Sequence, residues 1–288
     1  MLTSPVLRCW RKSRPNDELH YLTKSQFSFL LSENPNIDKV HELTAFSETV
    51  KNLKKEKFDL IVDLHKNLRT TRLSLSLGVK RISFNKLSLA KYLSVRKRDV
   101  SVLPDLHIVD RYFEACKNYI KDDGLGLDYF GEQKPQLFKE LPSEYAVIVA
   151  GAAHHTKKLP LELMEKIQEK SKLPCVILGA KSDNNVAFNS MQNVVNLCGK
   201  TNLHESAYVV KNANHVYSSD TGLMHIAAAF QKEITVFWGN TVPEFGMYPF
   251  RTSHINKEVG GLSCRPCSKI GFPECPKGHF KCMMDQEV

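Results

Sequence analysis

The residues whose types and spacing best suit chemistry are Ser218-Ser219-Asp220-Thr221-Gly222-Leu223-Met224-His225. They follow a short apolar strand, His215-Val216-Tyr217, and open a helix: Leu223, Ile226, Ala227 and Phe230 recur at i, i+3, i+4 and i+7. Asp220 stands where an N-cap belongs, and Thr221-Gly222 begin the first turn. A glycine there lets a ligand come close to the backbone. The N–H groups and positive dipole end of a helix suit a phosphate. Strand, small-residue turn and helix N-terminus together describe a nucleotide diphosphate site. An ordinary capped helix in an α/β domain accounts for the same residues equally well. Asp-Thr-Gly also serves aspartic proteases, but there in a β-rich setting with a second carboxylate, which the immediate helix excludes.

Such a turn must be held by strands, and the chain supplies them in alternation with helices. Strands are expected at 18–23, 39–43, 58–63 and 81–84, with helices at 25–31, 47–55, 67–77 and 107–121. Residues 122–143 form a break rich in Asp, Gly, Pro and Lys. A second series follows, with strands at 145–150, 174–179, 194–197, 215–218 and 234–238, a helix at 160–170 and another from Asn184. This βαβ order predicts an α/β fold with parallel sheets covered on both faces. Two domains are expected, 1–142 and 143–288, with ligands at the carboxyl ends of the strands. The chain opens inside a helix, 4–12, where a doubly wound domain normally opens on a strand.

The 288 residues are 42% hydrophobic and 25% charged, as in a soluble globular protein. No apolar run reaches the roughly 18 residues that span a bilayer, and no secretory leader is visible, so the cytosol is the expected compartment. Net charge is +9, carried mostly by the first half, which points to an anionic partner. Cys9, Cys116, Cys175 and Cys198 are scattered and read as buried thiols. Cys264, Cys267, Cys275 and Cys282, with His279, have zinc-site spacing. A structural zinc suits a reducing compartment, and a packed cluster of reduced thiols is the alternative.

The segments SSDTGLMHIAAAF (218–230) and ITVFWGNTVPEFGMYPF (234–250), with FDLIVDLHKNLRT (58–70), HIVDRYFE (107–114), TKKLP (156–160) and CRPC…CPKGHFKC, resemble bacterial glycosyltransferase family 9, the heptosyltransferases of lipopolysaccharide core assembly. The resemblance runs over nearly the whole chain. It implies a GT-B fold of two Rossmann-like domains facing a central cleft, and inverting sugar transfer without a metal. It implies an ADP-sugar donor held by Thr156, Lys157, Lys181, Asp220, Thr221, Gly222, Leu223 and His225. Lys157 matches the family's donor-phosphate lysine and would neutralise charge on the leaving diphosphate. His225, one turn into its helix, is placed to reach a phosphate or a sugar hydroxyl. Lys181 stands where the family often has an acid against the donor ribose, which leaves that contact open.

For an anionic, lipid-linked saccharide acceptor the basic candidates are Lys66, Arg69, Arg72 and Arg111, arginine giving a bidentate grip on phosphate or carboxylate. Between Lys80 and Arg98 seven Lys/Arg residues occur without an acid, interleaved with Leu87, Leu89, Tyr92 and Leu93. That reads as a segment lying on an anionic membrane, which implies a peripheral protein on the inner face of the cytoplasmic membrane. No nucleic-acid module is recognisable. Family members carry their general-base Asp in a loop that would lie just before Leu2, and they continue beyond Cys282-Met283. The expectation is a fragment, or a frame opened at the wrong start, that binds nucleotide and transfers sugar poorly. An epimerase of the same fold, or a binding module that has lost its base, are the competing readings.

Overall fold

In the second half of the chain, short Val/Ile/Leu runs bounded by polar or glycine residues become strands buried on both faces. The computed structural model describes residues 1–134 and 141–288. In chain order the helices and strands are α1 (Ser4–Ser13), β1 (His20–Lys24), β2 (Lys39–Leu43), α2 (Phe46–Lys55), β3 (Leu60–Asp63), α3 (Leu68–Leu77), β4 (Lys80–Ser83), α4 (Ser88–Lys97) and α5 (Ile108–Cys116). There follow β5 (Ala146–Val149), α6 (Leu161–Lys170), β6 (Cys175–Leu178), β7 (Val194–Asn196), α7 (Leu203–Lys211), β8 (His215–Ser219), α8 (Gly222–Ala229), β9 (Glu233–Trp238), β10 (His254–Glu258) and α9 (Lys281–Met284).

The described residues fall into two units. One comprises Met1–Lys86 and Ile108–Gly131, the other Leu87–His107 and Glu132–Val288. The division differs from a single boundary at 142/143, because residues 87–107 pack with the second unit. Lys91 Nζ donates to the Phe245 carbonyl at 2.6 Å. The His107 ring lies 2.9 Å from the Tyr248 carbonyl and stacks on Phe250. Of the expected break at 122–143, residues 135–140 lie outside the described residues.

The first unit holds two parallel pairs, β1 with β2 and β3 with β4. Its local signals are strong where polar side chains close a turn. Asn67 and Thr70 cap α3 reciprocally, and Gly78 ends it in the left-handed region at φ +68°.

The second unit holds a six-stranded parallel sheet in the order β10-β9-β8-β5-β6-β7. Every residue of β5 and β6 is buried. The stripe Leu163, Met164 and Ile167 of α6 joins Ile148, Ile177, Phe237 and Met283 in one core. Each such aliphatic side chain stabilises the fold by about 1.5–3 kcal/mol. The helix expected from Asn184 is absent; two short 3₁₀ turns, Lys181–Asp183 and Val186–Asn189, stand there instead. Asn185 and Asp183 side chains satisfy local N–H groups and compete with helix. No helix is long and apolar enough to cross a membrane among the described residues.

Candidate functional site

From β5 the chain winds through β6 and β7 toward one edge of the six-stranded sheet. From β8 it winds through β9 and β10 toward the other. β5 and β8 are therefore neighbours at which the winding reverses, and their carboxyl ends open the crevice where such sheets bind ligands. The 3₁₀ turn His155–Lys157 follows β5, and Asp220 follows β8. Lys157 Nζ and an Asp220 carboxylate oxygen meet at 2.5 Å, both side chains largely buried. The Thr241 hydroxyl donates to the same oxygen at 3.3 Å.

Asp220 is not the N-cap of α8. The helix starts at Gly222, so the cap position is Thr221, whose hydroxyl accepts from the Met224 N–H at 3.4 Å and lies 3.1 Å from Ser218 Oγ. A cap bonds the residue three ahead of it; with Thr221 in that role, Asp220 is left to face Lys157. Gly222 is exposed and Leu223 half-buried, so the first turn of α8 opens on solvent.

Behind that turn lie buried polar atoms with no hydrogen-bond partner: Ser219 Oγ, His225 Nδ1 and both side-chain atoms of Asn240. Buried polar groups are nearly always paired; Ser219 ends β8, Asn240 follows its neighbour β9, and His225 lies one turn into α8, so these atoms are candidates to meet a polar ligand. Ser219, Asn240 and Thr241 were not among the sequence candidates. Their signal is Gly239-Asn240-Thr241 directly after the buried run of β9.

Burial pushes the His225 imidazole down to about 4, against the opposing pull of Asp220. It is neutral at pH 7. The unfolded ring takes up its proton near 6.5 and the folded ring only near 4, so the unfolded state binds more protons between those values. Stability from this residue is full above pH 6.5 and is lost as pH falls toward about 4, amounting to about 3 kcal/mol. Thermal melting across that window should show an acid-side slope that His225→Gln flattens; parallel slopes would refute the assignment.

Thr156 is fixed differently from expectation. Its hydroxyl accepts from the Phe272 N–H at 2.8 Å, and its own N–H donates to the Phe272 carbonyl at 3.2 Å. It anchors the lysine turn instead of presenting its hydroxyl to a ligand. A Cβ on Gly239 would lie 2.7 Å from the Thr156 carbonyl oxygen, so the end of β9 supports the same turn. Lys158 pairs with Asp183 at 2.5 Å, and Asp183 also accepts from the Ala180 N–H. Lys181 stands exposed after β6.

In the first unit the acceptor candidates divide. Lys66 Nζ donates to the Phe84 carbonyl at 3.0 Å, and buried Arg111 donates to the Asn85 carbonyl at 3.4 Å, so these two converge on one short segment. Arg69 is exposed. Arg72 turns to the Phe46 ring, 4.4 Å from its centre, and so does not join them. Asp63, at the end of β3, accepts from the N–H groups of His65 and Lys66, the Thr70 hydroxyl and Arg81. Burial pushes its carboxyl up, but these donors outweigh burial and hold it below the usual range. A carboxylate with four donors is a poor base; it shapes the loop that carries Lys66.

Of the basic stretch 80–98, Arg81 is taken by Asp63, and α4 exposes Leu89 and Tyr92. In the cysteine cluster, Cys264 Sγ lies 3.9 Å from His279 Nε2, while Cys282 is buried in the core beside Met283 and burial pushes its thiol up to about 12. Among the described residues, the sets of three or more ligand atoms lying within 4.8 Å of one another do not include these cysteines. Cys264, Cys267 and Cys275 all act electrostatically on Cys282, so the four thiols share one neighbourhood at the end of the chain.

Residues 47–276 match the model of glycosyltransferase family 9 (heptosyltransferase). Two curated relatives are each a lipooligosaccharide heptosyltransferase 2. The one from Haemophilus ducreyi is 31% identical over 135 residues, covering 43% of this chain and 37% of the relative. The one from Haemophilus influenzae is 45% identical over 51 residues, covering 18% of this chain and 15% of the relative. The matched stretches thus span well under half of those relatives. In fold the chain is similar to the glycosyl transferase family 9 structure from Veillonella parvula, with TM-score 0.69 at 18% identity over 88% of this chain and 82% of that one. It is also similar to E. coli ADP-heptose lps heptosyltransferase II, with TM-score 0.66 at 14% identity over 99% and 90%. An E. coli heptosyltransferase solved with ADP gives TM-score 0.67 at 17% identity over 88% of each chain. The fold is α/β with parallel sheets, of the GT-B kind these structures share.

Proposed function

The chain belongs to glycosyltransferase family 9, the heptosyltransferases, and on that premise we propose that it moves a heptose or related sugar from an ADP-sugar to a lipopolysaccharide-core or lipid A-type acceptor, with inversion and without a metal. The observation that carries this reading is the Lys157–Asp220 pair at the winding reversal, beside the first turn of α8. As the sugar–phosphate bond breaks, negative charge grows on the leaving diphosphate. The first turn of α8 offers N–H groups and the positive end of its dipole, and Lys157 offers an ammonium. The diphosphate competes with Asp220 for that ammonium. Neutral His225 and the Asn240 amide line the same place as hydrogen-bonding groups for phosphate or sugar. The likeness in fold to a heptosyltransferase solved with ADP supports adenine as the base.

Lys66, Arg69 and Arg111 are the acceptor-side candidates, with Arg72 committed to Phe46. Leu89 and Tyr92 on α4, among Lys91, Arg96 and Lys97, would lie on the inner leaflet where a lipid-linked acceptor resides.

Calorimetric titration with ADP, UDP and GDP tests the donor side. ADP should bind at least tenfold more tightly than the other two, and Lys157→Met should lose most of that affinity. Equal binding of all three nucleotides, or none, would overturn the reading.

A further inference from the structure

We propose that His20, His41 and Glu56 form a binding site for a zinc-class divalent cation in the first unit, on residues outside the proposed donor and acceptor sets. The parallel register of β1 and β2 sets His20 opposite Lys39 and Leu22 opposite His41. Residues two apart share a face, so both imidazoles lie on the same side of the pair. His20 Nδ1 and His41 Nε2 are 3.0 Å apart. Glu56, directly after α2, brings a carboxylate oxygen to them, and the three ligand atoms all lie within 4.8 Å of one another.

The surroundings are those of a metal site. His20 Nε2 lies 2.8 Å from the Glu18 carboxylate. That contact places the proton on Nε2 and leaves Nδ1 as the ligating atom, the orientation that carboxylates behind metal-bound histidines impose. Phe58 packs edge-on to both rings, 5.2 and 6.3 Å between ring centres, and walls one side. Two imidazoles and one carboxylate match zinc and its neighbours in the first transition row, whereas calcium and magnesium prefer all-oxygen sets. Tetrahedral zinc at about 2.05 Å from each nitrogen holds the two about 3.3 Å apart. The rings need to tilt and part by only a few tenths of an ångström. On binding, the proton that His41 Nε2 directs at His20 Nδ1 shifts to His41 Nδ1, so both ligating nitrogens present lone pairs and each ring stays neutral. Three protein ligands leave the fourth position to water.

One feature opposes the ion. Lys39 Nζ pairs with Glu56 at 2.5 Å, and the ion must displace it. Removing that ammonium therefore strengthens binding, an effect that misfolding cannot imitate.

The test titrates zinc chloride into the full chain after chelator treatment and dialysis, with Cys264→Ser, Cys267→Ser, Cys275→Ser and Cys282→Ser in every sample to remove the competing cysteine cluster. The parent should bind one equivalent and melt at higher temperature when loaded. His41→Gln should weaken that equivalent by at least 100-fold, and Glu18→Gln by about 10–100-fold. Lys39→Met should tighten it. No zinc bound by the parent, one equivalent retained unchanged in His41→Gln, or weaker binding in Lys39→Met would each overturn the assignment.

Discussion

Replacing Lys157 with methionine is expected to lower sugar transfer by about 10²–10³-fold, the loss that follows removal of one preorganised group from developing negative charge. The lysine turn is anchored at Thr156 by two hydrogen bonds to Phe272, which hold it in place, while Asp220 loses its cation and keeps the Thr241 hydroxyl, so a thermal melt of the variant accompanies the kinetics. Nucleotide affinity falls with it, because the diphosphate is present in ground and transition states alike. The partner substitution separates charge from position. Asp220→Asn leaves Lys157 charged and free of its carboxylate, so nucleotide binding survives. Steady-state kinetics of both variants beside ADP titrations decide the matter. Full turnover in Lys157→Met would remove the lysine from the chemistry.

Replacing Asp63 with alanine is expected to destabilise the first unit by about 3–5 kcal/mol, the effect of removing one partner from a buried ion pair. Asp63 accepts from four donors, and Arg81 at 2.7 Å is left as an uncompensated charge. The Thr70 hydroxyl and the His65 and Lys66 N–H groups lose their acceptor together, so the turn into α3 loosens. The pH dependence has a definite sign. The folded carboxyl titrates below its ordinary value, so its contribution is full above about pH 4 and fades as pH falls through the folded pKa. Chemical denaturation followed by circular dichroism measures both. A midpoint shift worth less than 1 kcal/mol would show that the loop holds itself without Asp63.

Much of the second unit was legible in the sequence. Cys175–Leu178 and Ala146–Val149 are apolar runs too short for helices and flanked by turn residues, and the stripe Leu163, Met164, Ile167 has helical period. Local chemistry decides such elements. The N-cap was displaced by one residue because Asp220 and Thr221 both suit the position, and only a lysine 63 residues away in sequence claims the aspartate. Helix α4 does not show in the sequence, since basic residues on all sides hide its period. Asn240 and Ser219 were missed for a related reason. A polar residue after a strand looks like any turn residue until the fold buries it, and burial is a property of the tertiary structure. Arg72 shows the converse: its type suits an anion, but Phe46 from another helix takes its face.

The tie between Thr156 and Phe272 also sets an order of events. Residue 156 is made long before residue 272, and the two are joined by both backbone and side-chain hydrogen bonds. Domains fold during synthesis in the direction the chain emerges. The central strands β5 and β6 can associate early, and Asp220 and Gly239 meet the turn bearing Lys157 next, yet its hydrogen bonds at Thr156 wait until the carboxyl-terminal segment leaves the ribosome. A nascent chain, or one clipped by a protease before residue 272, would hold a formed sheet and an unset lysine. The lysine turn of the proposed donor site is thus completed only when the tail has arrived.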